Sequence, residues 1–138
     1  TRFPVDVPPP DDVENPQGME SVCTALGAKP IDWGYKTDCC GASASVNDAD
    51  QSLLLMSRII GDAVARGANC IVTSCPLCQF NVDAYQDKVG ERYGITKRLP
   101  VYFITELVGI AMGLSVAEMQ VDRHLVDAMS LLKELNLL

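Results

Sequence analysis

A chain of 138 residues, 48% of them apolar, has the length and the core material of one domain. Its formal charge of −7, from 18 acidic and 11 basic residues with no long basic run, repels a phosphate backbone, so no nucleic-acid partner is expected. The longest apolar candidate, Leu107 to Leu114, carries Gly109 and Gly113 and falls short of the roughly 18 residues needed to cross a bilayer, so no membrane span is expected.

Residues 1–14 are proline-rich and acidic without periodicity and read as an extended loop packed over the domain or partly disordered. They lack the apolar core and small-residue cleavage site of a secretory signal, so export is not expected. Asn15 and Pro16 supply an N-cap and a first-turn proline for a helix that carries Met19, Val22, Cys23 and Leu26 and stops at Gly27. Lys29 to Tyr35 reads as a short strand leading into the loop Thr37-Asp38-Cys39-Cys40-Gly41-Ala42-Ser43, whose residues are small and polar. From Asp48 to Arg66, Leu53, Met56, Ile60 and Ala63 form a helical stripe, with Leu55 and Ile59 beside it, that ends at Gly67. Cys70 to Thr73 is rich in β-branched residues and bounded by Gly67 and Pro76, which predicts a buried strand. Pro76 opens a helix that carries Leu77, Phe80, Val82 and Tyr85 and ends near Gly94. Val101 to Ile104 is a third strand, and Thr105 caps a helix through Met112. Shorter helical pieces follow around Ala117 and from Leu125 to Leu135.

Strands alternating with helices predict an α/β fold, a mostly parallel sheet of three to four strands with helices on both faces. Ligands in such sheets collect beyond the carboxyl ends of the strands, where both cysteine pairs, Cys39-Cys40 and Cys75-Pro76-Leu77-Cys78, are expected. Six cysteines are too few for a secreted disulfide scaffold, and four in two tight pairs suit a metal or redox centre in a reducing, cytoplasmic compartment. The Cys-x-x-Cys turn lets two sulfurs converge, and a helix starting there favours thiolate through its N–H groups and dipole. Adjacent cysteines diverge unless the backbone kinks, for which Gly41 is placed. Four thiolates select zinc or an iron–sulfur cluster over magnesium or calcium.

At these residues the chain resembles the CCG cysteine-rich domain, whose signature is a lone cysteine, then Cys-Cys-Gly, then Cys-x-x-Cys, found in the disulfide-reducing B subunit of heterodisulfide reductases. Asp38-Cys39-Cys40-Gly41-Ala42-Ser43 and the run from Thr73 through Cys75-Pro76-Leu77-Cys78 to Asp83 are similar to that protein rather than to its relatives in glycolate oxidase. The resemblance covers most of the chain, including the tail around Asp122-Arg123-His124. It implies a non-cubane 4Fe-4S cluster with Cys39, Cys40, Cys75 and Cys78 as ligands, and a small-molecule or protein-bound disulfide that binds iron directly and is cleaved in one-electron steps. It also implies partner subunits carrying iron–sulfur and flavin groups. The family's first cysteine has no counterpart, since residues 1–22 contain none and Cys23 lies too close to the pair. The chain is therefore expected to correspond to the second half of a protein of that type, starting just downstream of that ligand.

Two other functions fit the same cysteines. A structural zinc module would use the four thiolates to hold the fold and dock a partner. A thioredoxin-like exchanger would use Cys75 and Cys78 between strand and helix and leave Cys39-Cys40 without a role. Cys23 and Cys70 have apolar neighbours and read as core rather than ligands. His124 reads as a cap or surface contact rather than a ligand, Pro8 to Pro10 as a stiff loop, and Lys36 as a solvated strand end.

Overall fold

The computed structural model describes residues 11–137. Pro8 to Pro10 lie outside the described residues. The first helix, α1 (Gly18–Ala25), starts two residues later than Pro16 suggested, because its cap arrives from upstream. The Asp11 carboxylate accepts the N–H groups of Gln17 at 2.9 Å and Gly18 at 2.6 Å, satisfying donors that a helix start leaves free.

Lys29 to Tyr35 is not a strand. Pro30 has no N–H to give a ladder, and the segment bends into a turn at 34–37 with its ends tied elsewhere. Arg66 donates to the Asp32 carbonyl at 3.0 Å, and Trp33 and Tyr35 pack against the core. Lys36 is not a solvated strand end either. Its largely buried ammonium donates to the Pro16 carbonyl at 2.8 Å and pairs with Glu20 at 3.1 Å, fastening α1 to the approach to the Cys39-Cys40 loop.

The helix α2 (Ala49–Ala65) starts at Asp48, whose carboxylate accepts the Gln51 N–H at 3.0 Å, and presents Met56, Ile59, Ile60 and Ala63 to the core. β1 (Ile71–Thr73) follows, then α3 (Pro76–Ala84) and α4 (Gln86–Tyr93), which replace the single helix expected from Pro76 to Gly94. At the break the buried Gln86 carboxamide donates to the Leu99 carbonyl at 2.7 Å and accepts the Leu99 N–H at 2.9 Å, locking the approach to β2 (Val101–Phe103). α5 (Ile104–Ala111) begins directly after β2, so the cap is not Thr105; Glu106 reaches back to accept the Phe103 N–H at 2.8 Å. α6 (Val116–Met119) carries a Ser115/Glu118 capping box, and α7 (Met129–Glu134) closes the described chain.

Among the described residues the sheet has two strands, β1 and β2, rather than three to four. They run parallel with Ile71 opposite Val101 and Thr73 opposite Phe103. Side chains alternate faces along a strand, and Val101 and Tyr102 accordingly enter different cores. Val101 joins Met56, Ile60, Val82, Val89 and Leu99 on one face. Tyr102 joins Val121, Ala128 and Leu132, with Leu107 and Ile110 against them, on the other. Its buried hydroxyl donates to the Ala128 carbonyl. Helices thus cover both faces, as the strand–helix alternation implied.

α7 is shorter than the Leu125 to Leu135 expected, because the N–H groups of Leu125 and Val126 are engaged elsewhere. The buried Asp83 carboxylate of α3 accepts them at 2.7 and 3.1 Å and anchors the tail beside the sheet. Replacing Asp83 by Ala leaves both groups without that acceptor, and a loss of about 2–3 kcal/mol of unfolding free energy is expected in urea titration.

Candidate metal centre

α3 starts where β1 ends. Cys75 sits in the extended conformation at the N-cap position, its N–H donating to the Thr73 hydroxyl at 3.2 Å, and Pro76 takes the first helical place, where no N–H is needed. Cys78 lies one turn inside the helix. The other pair reaches the same strand end through a kink. Gly41 has φ +75°, and a Cβ there would stand 2.9 Å from Leu55 Cδ1 and 3.1 Å from Ser52 Cα, so both the turn and the close approach of α2 demand glycine. The Gly41 N–H points to the Cys39 sulfur at 3.4 Å.

The two loops meet at Cys40 Sγ and Cys78 Sγ, 3.2 Å apart. Cys40 is buried and Cys78 half-buried, whereas Cys39 and Cys75 are exposed, and all four are free thiols. Asn81 fixes this meeting. Its buried carboxamide donates to the Cys40 carbonyl at 3.0 Å and to the Ser52 hydroxyl at 3.3 Å, so both of its N–H bonds are used. One side chain thereby joins α3, the Cys-Cys loop and α2.

Cys75 and Cys78 differ electrostatically. The Cys78 N–H, with the Cys78 thiol and the Leu77 N–H behind it, faces the Cys75 sulfur and holds its pKa below the ordinary 9.0. Burial, reinforced by the neighbouring Cys40 and Cys75 thiols, pushes the Cys78 thiol up to about 12. No three His, Cys, Asp or Glu side chains among the described residues are arranged to hold one metal ion.

Cys23 is buried, as expected of a core residue. Cys70 immediately precedes β1 and packs on the Tyr102 core, where burial pushes its thiol up to about 11. His124 caps the end of the short turn Val121–Arg123, but its side chain is not a surface contact. Its side chain is 8% exposed, and Nε2 lies 3.0 Å from Glu106 Oε1. Gln79, directly after Cys78, donates to the same Glu106 oxygen at 3.2 Å and lies 3.3 Å from His124 Nε2. An open cleft of about 280 Å³ runs past this cluster, lined by Pro76, Gln79, Phe103, Glu106, Glu118 and Met119. Asn81, Ser52, Gln79 and Glu106 are not legible as site residues in the sequence; the signal that could have pointed to Asn81 and Gln79 is their place within one turn of Cys78.

In reduced, metal-free protein at pH 8, Cys75 is expected to be alkylated well before Cys78, as mass spectrometry of time-quenched samples would record. Asn81→Leu should lower stability by about 1–3 kcal/mol in denaturant titration and expose Cys40 to alkylation, because the Cys40 carbonyl loses its partner.

The family model of the CCG cysteine-rich domain matches residues 10–83, which include all four paired cysteines. The chain is 33% identical over 117 residues to the 8-methylmenaquinol:fumarate reductase membrane anchor subunit of Wolinella succinogenes, covering 85% of this chain and 41% of that protein. It is 31% identical over 126 residues to the B subunit of the ferredoxin:CoB-CoM heterodisulfide reductase of Methanosarcina mazei, covering 90% of this chain and 42% of the relative. The B subunit of a ferredoxin/F420H2-dependent CoB-CoM heterodisulfide reductase of Methanosarcina acetivorans is 29% identical over 126 residues, with the same coverage of 90% and 42%. The chain thus spans about two fifths of the length of these relatives. No helix among the described residues is long and apolar enough to cross a membrane. By the match over its cysteine-bearing half and these relatives, the chain belongs to the CCG cysteine-rich domain family.

Proposed function

We propose that this chain is the iron–sulfur-binding part of a heterodisulfide reductase B-type subunit, with Cys39, Cys40, Cys75 and Cys78 holding a non-cubane 4Fe-4S cluster at which a disulfide is cleaved or formed. The observation that carries this reading is the 3.2 Å contact of Cys40 and Cys78 across two loops. A buried and a half-buried thiol in contact gain nothing from packing that apolar side chains would not give, and Cys78 resists ionisation until a cation is near. The exposed Cys39 and Cys75 complete a soft donor set on the solvent side, with the α3 N–H groups offsetting thiolate charge. When bound, the cluster supplies electrons singly to the disulfide.

The chain's own residues would do the rest. Gly41 and Asn81 fix the spacing of the loops. Leu77 and Phe80, exposed on α3 on either side of Cys78 in the chain, offer apolar surface suited to a partner or to the substrate's carbon chain. The partners in this reading are iron–sulfur and flavin subunits, and the setting is the cytoplasm. A structural zinc module would draw on the same four thiolates, and iron with acid-labile sulfide against zinc alone separates the two. Thiol exchange by Cys75 and Cys78 draws on their unlike pKa directions but leaves the Cys40–Cys78 contact without a purpose.

After anaerobic reconstitution, iron and acid-labile sulfide are expected in near-equal amounts with broad visible absorption, in this chain and in a form extended upstream. Cys40→Ser and Cys78→Ser should each abolish most of both. Zinc at about one per chain without sulfide would overturn the reading.

A further inference from the structure

The Glu106–His124–Gln79 cluster makes no hydrogen bond to the four paired cysteines, yet Gln79 directly follows Cys78 and joins a buried ion pair beside it. Two ionisable side chains, 13% and 8% exposed, meet at 3.0 Å, and Glu106 and Gln79 line the cleft together with Pro76, the residue that follows Cys75 in the chain. Structural need explains half of this. Glu106 Oε2 caps the start of α5 through the Phe103 N–H, but Oε1 is left for His124 and Gln79.

We propose that His124 and Glu106 form a proton relay that serves the thiolate released into this cleft, an inference that rests on the disulfide-reducing reading above. Cleavage of a disulfide by two electrons, delivered singly from an iron–sulfur or flavin donor, breaks the S–S bond and leaves two thiolates that take up two protons. His124 passes its Nε2 proton to Glu106 Oε1, and the Glu106 carboxyl passes it to the thiolate in the cleft. Bulk water through the open cleft restores that proton, and the second thiolate is protonated from solvent.

Gln79 suits both states of the relay. While His124 is charged, the Gln79 N–H serves Glu106 Oε1; once Nε2 is bare, the same N–H lies 3.3 Å from it and can donate there, the remaining ring proton staying on the buried Nδ1, which has no hydrogen-bond partner among the described residues. The hydrogen bond to Glu106 raises the His124 pKa above its ordinary 6.5 against the pull of burial, and Asp83 of α3 and Asp122 of the turn before His124 add to it. From β2, the Tyr102 ring lies 6.1 Å away with its hydroxyl committed to Ala128, and burial holds that phenol protonated. Burial pushes the Glu106 carboxyl up, but the bonds from His124, the Phe103 N–H and Gln79 outweigh it and hold the pKa below 4.5. A raised histidine contributes stability that is lost as pH rises through its folded pKa, and a lowered carboxyl contributes stability lost as pH falls through its own. The charged pair is therefore complete between 4.5 and 6.5 and gives up its proton on the alkaline side, above 6.5.

His124 is the only histidine of the chain, so its titration is read directly by NMR. The expected midpoint lies above 6.5 and falls in Glu106→Gln; a wild-type midpoint at or below 6.5 would overturn the relay. The second measurement uses the complete subunit with its partners, reduced viologen as donor and a disulfide substrate, after iron and sulfide have been quantified. Glu106→Gln and His124→Gln should keep their iron and sulfide and lose about 100-fold or more in kcat with little change in KM, and the alkaline limb of the wild-type pH profile should vanish. Variants as fast as wild type with that limb intact would refute the relay alone. A wild-type complex that holds its cluster but turns over no disulfide would refute the redox reading and the relay with it.

Discussion

The Asn81 carboxamide holds three pieces of chain in register, because its two N–H bonds end on the Cys40 carbonyl and the Ser52 hydroxyl. Each acceptor belongs to a segment that reaches the strand end by its own route, one through the Gly41 kink and one along α2. All of these groups are buried, so leaving any of them unpaired costs about 1–3 kcal/mol. That penalty makes the arrangement specific: the loop cannot slide along α3 without stranding a donor or an acceptor. The Cys40–Cys78 contact follows from it.

The same helix organises the opposite side. Asp83, two residues beyond Asn81, takes the N–H groups of Leu125 and Val126 and brings the tail to the sheet, which delivers His124 to Glu106. α3 therefore carries at its first turn Cys75, Cys78 and Gln79, and just behind them the two buried polar side chains that place everything these residues face. A helix whose buried face reads Asn81, Val82, Asp83 and whose exposed face carries Leu77 and Phe80 inverts the usual stripe. Stability is exchanged for position, a pattern expected at functional sites rather than in cores.

Thiol and proton environments are thus set by backbone N–H groups, by burial and by a side-chain partner. The α3 N–H groups favour charge on Cys75, burial disfavours it on Cys78, and the Glu106 partnership favours it on His124. Each cysteine pair has one exposed thiol and one that is buried or half-buried, so the candidate centre has a solvent-facing side and a core-facing side. Family membership and this asymmetry bear on the same residues from independent directions.

What the sequence determined by itself were features with local physical causes. The α2 stripe, the strand expected at Cys70 to Thr73 and found from Ile71, the Pro76 start of α3 and the Gly41 kink depend on neighbours within a turn or a strand. So does the grouping of the cysteines into two pairs, on which the family resemblance rests. Lys29 to Tyr35 departs from its strand pattern because a short apolar run with Pro30 and Gly34 becomes a strand only if a neighbour offers a ladder, and Arg66 and the core claim it instead. Asp11 as the cap of α1, the burial of Lys36, and the pairing of His124 with Glu106 all join residues 6 to 20 positions apart. Only tertiary structure could decide them, since a polar side chain shows in sequence its capacity to bond but not the distant group that burial will force it to meet.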